Sequence, residues 1–197
     1  HSPAGSEREL AVYENSTGNS ASASFTVRNF ERFDITATAG DDYIRTKDGN
    51  DRIVAGDGND RIYAGGGADT LIGGEGDDRF HEVGVGSSVN GGAGYDRVIL
   101  AVGSATEGQT VDLVAGTGLG GVWTSVEAVG GTLGSGDDVV RTLAQTEDLD
   151  GGAGTDSLTL DYSGTAFGTS TPFSYVRLNL HSPAGSEREL AVYENST

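Results

Sequence analysis

Between Ala37 and His81 a large apolar residue returns at every ninth position, as Ile44, Ile53, Ile62, Leu71 and Phe80. Each lies in a triplet such as Arg52-Ile53-Val54, Arg61-Ile62-Tyr63 or Thr70-Leu71-Ile72. A triplet of this kind makes a minimal strand whose middle side chain points inward and whose neighbours point outward. Polar, glycine-rich stretches separate the triplets. Gly40, Gly49, Gly58, Gly67 and Gly76 hold the fourth place of each nonapeptide, where a residue without Cβ permits positive φ and a tight turn. A repeat of fixed period outranks any local propensity. The pattern predicts an all-β chain in which two nonapeptides form one strand–turn–strand–turn coil. Successive coils then stack as parallel β-structure, about 4.8 Å per layer.

The sixth place of every nonapeptide is an aspartate: Asp42, Asp51, Asp60, Asp69 and Asp78. Stacking sorts them into two columns, with Asp42, Asp60 and Asp78 on one edge and Asp51 and Asp69 on the other. Carboxylates stacked so closely repel, and so glycine-rich a chain has little to offset its conformational entropy. A hard divalent cation between turns resolves both problems. Calcium takes 6–8 oxygens in flexible geometry and accepts carboxylates and carbonyls together, so several calcium ions are the expected cofactor.

The motif closely resembles the RTX (repeats-in-toxin) family of secreted calcium-binding proteins, whose unit is Gly-Gly-x-Gly-x-Asp-x-apolar-x. The resemblance implies a parallel calcium-binding β-roll, a β-solenoid with metal between stacked turns. It also implies that each ion takes sixth-position aspartate oxygens together with carbonyls of the first four turn residues. Carried onto this chain, the sites join Asp42 with Asp60, Asp60 with Asp78, and Asp51 with Asp69. Asp48, Asp57, Gly49, Gly58, Gly67 and Gly76 belong to the same turns. Thr38 and Lys47 stand where the motif has its second glycine, so the first turns depart most from it.

Register extends the columns. Gly91-Gly-Ala-Gly-Tyr-Asp96 repeats the motif so that Asp96 stacks on Asp78, while Ser87 replaces the aspartate of the intervening nonapeptide and ends the other column. Further on, Asp138 and Asp156 carry the motif with Glu147 in the degenerate place between them, and one ion is expected there. Phe30-Glu31-Arg32-Phe33 followed by Asp42 matches Val126-Glu127-Ala128-Val129 followed by Asp138. Two diverged units result. The first covers 1–115, with N-terminal strands over 1–36 and a roll over about 37–99. A second, shorter unit covers 116–180, with turns at 133–141 and 151–159. Residues 100–130 and 157–180 lack the turn motif and alternate apolar with polar, so they are expected as antiparallel strands capping the rolls.

Residues 1–17 recur without change at 181–197. This copy is the start of a next tandem unit or an engineered tail; its direct continuation from Tyr175-Val-Arg-Leu-Asn-Leu180 favours the tandem, and with it a long array of neighbouring identical repeats. Because its sequence is identical, the copy is also expected to be able to take the place of 1–17 in a neighbouring molecule, giving head-to-tail strand exchange. The chain has no leading methionine and no secretory signal at its head, and reads as a piece of something larger.

Composition narrows the function. With 197 residues, 33 glycines, 35% hydrophobic residues and no cysteine, the chain suits turn-rich β-structure without disulfides. A formal net charge of −18 argues against nucleic acid and membrane insertion, and about five calcium ions would offset roughly 10 of those charges. No apolar run approaches the roughly 20 residues of a membrane span. Catalytic motifs are missing: there is no nucleophile elbow and no zinc-protease signature. Gly116-Thr-Gly-Leu-Gly-Gly121 fits a dinucleotide pattern but is followed by strand-like residues rather than a helix. Asp48-Gly49-Asn50 opens like an EF-hand loop and then fails its spacing. Trp123 is expected in core or cap packing rather than against a sugar. Arg61, Arg79 and Arg97, beside Tyr63 and His81, form an outer ladder, read as a solvated face with cell-surface or matrix polysaccharide as the competing partner. The expected function is a structural, calcium-dependent, non-enzymatic repeat of an extracellular bacterial protein, such as an adhesin stalk, surface layer or fibre. The alternatives are a carbohydrate-binding module and the C-terminal part of a secreted hydrolase or epimerase.

Overall fold

The computed structural model describes the backbone of residues 7–16, 19–28, 30–143, 148–161, 176–180 and 188–192, with side chains over 30–142 and 148–161. Glu147, residues 162–175 and most of the copied tail lie outside the described residues. Chain contacts define one unit over His1–Asp161 and a second over Tyr162–Thr197.

The first unit opens with an antiparallel pair, β1 (Glu7–Ser16) and β2 (Asn19–Arg28). Short strands follow at the predicted triplets: β3 (Asp34–Thr36), β4 (Asp41–Arg45), β5 (Arg52–Asp57), β6 (Arg61–Tyr63), β7 (Thr70–Glu75), β8 (Arg79–Val83), β9 (Ser88–Ala93) and β10 (Arg97–Ala101). Beyond them come β11 (Thr110–Asp112), β12 (Thr117–Gly118), β13 (Gly121–Thr124), β14 (Ala128–Thr132), β15 (Val139–Leu143), β16 (Leu149–Asp150) and β17 (Ser157–Asp161). The second unit contains β18 (Val176–Leu180) paired antiparallel with β19 (Arg188–Val192). The sequence of β19 is that of Arg8–Val12 within β1.

From β3 to β11, and again from β13 to β17, consecutive strands alternate between two sheets. One runs β16-β14-β10-β8-β6-β4-β1-β2 and the other β17-β15-β11-β12-β13-β9-β7-β5-β3. From β3 to β9 every pairing between repeat strands is parallel and in the register that nonapeptides dictate: Ile44 beside Ile62 and Ile62 beside Phe80, Ile53 beside Leu71 and Leu71 beside Val89. This is a β-solenoid. The eighth-position side chains Ile44, Ile53, Ile62, Leu71, Phe80, Val89 and Val98 are all buried between the sheets. Each contributes roughly 1.5–3 kcal/mol by leaving water.

Residues 100–130 do not cap the roll. β14 stacks parallel on β10, β13 parallel on β9, and β11 parallel on β15. Only β12 runs the other way, joining β13 to β11. β17, expected as part of a cap, is likewise a parallel strand on β15. One core therefore passes from Phe33 through Trp123 and Val111 to Val140. The alternation that suggested a cap comes from strands with one face buried, and stacked coils share that property. On the described residues, antiparallel flanking is confined in the first unit to β1–β2, with β1 pairing antiparallel to β4. The Gly116–Gly121 stretch is the β12–β13 hairpin, with no helix to receive a phosphate.

Candidate metal centre

Each turn is shaped by glycine approaching the coil before it. Gly58 has φ 122°, and a Cβ there would collide with the backbone of Gly40 and Asp41. The same holds for Gly67 over Gly49 and Gly76 over Gly58. Lys47 takes up a glycine's place at φ 85°, which costs a side-chain-bearing residue roughly 1–2 kcal/mol. Such close stacking keeps the backbone carbonyls of one turn against the next.

Inside the turns the sixth-position aspartates form two buried columns. Asp42, Asp60, Asp78 and Asp96 precede or begin strands of the first sheet, and Asp51 and Asp69 precede strands of the second; none is more than 2% exposed. In each column one carboxylate oxygen accepts a backbone N–H from the coil before it. Asp42 N–H donates to Asp60 Oδ1 at 2.7 Å, Asp60 N–H to Asp78 Oδ1 at 2.8 Å, and Asp78 N–H to Asp96 Oδ1 at 2.8 Å. Asp51 N–H donates to Asp69 Oδ1 at 2.8 Å, and Asp69 N–H to Ser87 Oγ at 3.0 Å, where that column is interrupted. At the other end Phe33 N–H caps Asp51, and the Thr38 N–H and hydroxyl both reach Asp42 Oδ2.

The other oxygen is left over. Asp60 Oδ2, Asp78 Oδ2, Asp96 Oδ2 and Asp138 Oδ2 are buried without a hydrogen-bond partner, as is Asp42 Oδ1. A buried carboxylate oxygen with no partner carries a large desolvation cost, and repetition at every coil marks a missing positive charge. Gly73 and Gly91 leave the room: a Cβ on Gly73 would meet Asp78 Oδ2 and the Gly91 carbonyl, and one on Gly91 would meet Asp96 Oδ2 and the Ser125 carbonyl. Among the described residues no three His, Cys, Asp or Glu side chains converge, so a cation held here draws on backbone carbonyls for most of its ligands. An all-oxygen set mixing carboxylate and carbonyl suits calcium; the residues fit the ion.

Electrostatics agree. Burial pushes the Asp60 carboxyl up to about 6, Asp78 to about 7 and Asp96 to about 6, against the lowering effect of their backbone hydrogen bonds. Neighbouring carboxylates add to the rise, Asp42 at Asp60, Asp60 and Asp96 at Asp78, and Glu127 at Asp96. Without a cation these groups resist ionisation together.

Asp138 lies in the second sheet's column, beyond the β11–β13 detour. Gln109 N–H donates to its Oδ1 at 2.6 Å, and Asp138 N–H donates to Asp156 Oδ1 at 3.0 Å. Asp138 is buried and Asp156 exposed. Asp48 and Asp57 are exposed on the outside of their turns, apart from the buried columns. Two groups of residues escaped the sequence reading. Glu127 stands in the aspartate place next to Asp96, whose N–H it accepts at 2.8 Å, whereas Glu31, its match by spacing, is exposed. The fifth-position side chains form a second ladder running the opposite way: Asp41 accepts from Asn59 N–H, Asn59 from Asp77 N–H, and Asp77 from Tyr95 N–H, each at 2.8 Å. Its signal was present as Asp or Asn at Asp41, Asn50, Asn59 and Asp77.

Trp123 is 1% exposed, and its Nε1–H donates to the Ser87 carbonyl at 3.0 Å. It holds the detour against the interrupted column and offers no face to a sugar. Among the described residues no helix is long and apolar enough to cross a membrane.

Comparison with known proteins agrees with this geometry. The model of the RTX calcium-binding nonapeptide repeat matches in four copies, over residues 45–80 and 132–158. No curated protein and no solved structure matches the chain. The two matched stretches are RTX calcium-binding nonapeptide repeats.

Proposed function

We propose that the chain is a structural module of a larger extracellular bacterial protein, such as an adhesin stalk, surface layer or fibre, and that it folds on calcium after secretion. The observation that carries this reading is the column Asp42–Asp60–Asp78–Asp96, each member buried and each with one oxygen lacking a hydrogen bond. Where calcium is scarce, ionised carboxylates hold the roll open. Where it is plentiful, binding free energy becomes folding free energy, and sites of about 10⁻⁴–10⁻³ M affinity suffice outside cells. In this reading each ion sits between successive aspartates of one column, including Asp78 with Asp96 and Asp138 with Asp156. The duplication of 1–17 at 181–197 supports an array in which neighbouring repeats of the same kind follow one another.

The test is the calcium dependence of Asp60→Asn. Asparagine keeps an oxygen for the Asp42 N–H and removes the charge. The calcium concentration at half-folding, read by circular dichroism, should rise at least about tenfold, the equivalent of 1.4 kcal/mol. Asp48→Asn, on the outside of a turn, should leave it nearly unchanged. Equal midpoints for both variants would contradict the assignment.

A further inference from the structure

The outer surface of β4, β6, β8 and β10 carries an ordered strip of cationic and aromatic side chains. Parallel register places Tyr43, Arg61, Arg79 and Arg97 in one row, and Arg45, Tyr63 and His81 in the next. The Tyr63 and His81 rings stack at 4.4 Å with planes 7° apart, and Tyr43 lies 5.1 Å from Tyr63. Their faces engage one another. Arg45 reaches Glu82 at 3.9 Å. Among the described residues Arg61 and Arg79 have no carboxylate within ion-pair distance.

That is unusual in a chain of net charge −18. Like charges opposite one another on neighbouring strands destabilise a sheet, and acidic residues are plentiful enough to have neutralised them. The Arg61–Arg79 step of the ladder therefore has an electrostatic cost that an external anion removes, while Arg97 lies over the Tyr95 ring. A row of guanidinium groups at strand spacing fits anions repeated at the same interval, and guanidinium binds carboxylate or sulfate through paired hydrogen bonds. An extended polysaccharide repeats its pyranose rings at close to one strand spacing.

We propose that this strip binds a linear anionic polysaccharide, carboxylated or sulfated, laid along the stacking axis across β6, β8 and β10. The inference rests on the calcium reading above in one respect. Asp60, Asp78 and Asp96 directly precede the three arginines, so filling their column turns the local field positive and makes glycan binding calcium-dependent.

The experiment is calorimetric titration of the calcium-loaded chain with a sulfated glucan hexamer, beside the unsulfated hexamer and anionic phospholipid vesicles. Expected are binding of the sulfated hexamer alone, weakening as salt rises, and roughly tenfold loss in Arg61→Gln and again in Arg79→Gln. Arg52→Gln, on the other sheet and paired with Asp34, should bind as the parent does. The dichroism transition with calcium should be unaltered in all three. A chain that folds with calcium yet ignores the sulfated hexamer overturns the glycan proposal alone. So does unchanged affinity in Arg61→Gln and Arg79→Gln, or stronger binding to vesicles. Failure to fold with calcium overturns the metal reading instead.

Discussion

At the scale of single residues, glycine and aspartate divide the labour of the turn. Gly58 combines φ 122° with a Cβ direction blocked by the Gly40 and Asp41 backbone. Gly58→Ala should therefore cost more than the roughly 1–2 kcal/mol of an unfavourable backbone angle, because the turn stack must also part. The measurement is the thermal midpoint in saturating calcium, and a change under about 0.5 kcal/mol would be inconsistent with the stacking described. The aspartates set the response to pH. Asp60, Asp78 and Asp96 have folded-state values raised to about 6, 7 and 6 from 3.8. A raised value means that the folded chain binds the proton more tightly than the unfolded one. In the metal-free chain this contribution is fully present below about pH 3.8 and is lost as pH rises through about 6–7. Chelated protein should thus gain β-structure on acidification from pH 8 toward pH 4, followed by circular dichroism. Protons and calcium compete for the same oxygens, so the calcium affinity of the folded chain, read by calorimetric titration, should weaken over the same interval.

At the scale of elements, the nonapeptide strands were legible because one period fixes inward side chain, turn glycine and aspartate together; Ile44, Ile53, Ile62, Leu71 and Phe80 all fall in the core. The interruption and detour were harder to read. Ser87 marks where one column halts, but nothing local says that β13 stacks on β9, since that pairing spans a long interval and is set by packing. Trp123 fills the join and bonds the Ser87 carbonyl. Glu127 was aligned with Glu31 by spacing, yet only Glu127 meets an aspartate N–H. Equal spacing failed there because Phe33, two residues after Glu31, holds the place before β3 and donates its N–H to Asp51 Oδ1. Since one core links the two motif blocks, they should melt together. Scanning calorimetry in calcium should give one transition for residues 30–161. Trp123→Ala should lower its stability by about 3–5 kcal/mol, affecting both blocks. Two separated transitions in the parent chain would mean that the blocks are independent.

At the scale of the whole molecule, charge and glycine content oppose folding, and in the reading proposed above the metal reverses the balance. A chain of net charge −18 with 33 glycines has a thin core between two sheets, while its buried carboxylates repel along the stacking axis. In the reading proposed above calcium acts on successive coils, so ordering should be cooperative along the roll. The most direct measurement is circular dichroism across a calcium titration, with magnesium as the control ion. Magnesium demands near-octahedral geometry and gives up water reluctantly, so the account predicts a steep coil-to-β transition with calcium and none with magnesium at equal concentration. A chain with its full β-signal in chelator at neutral pH would contradict the central claim.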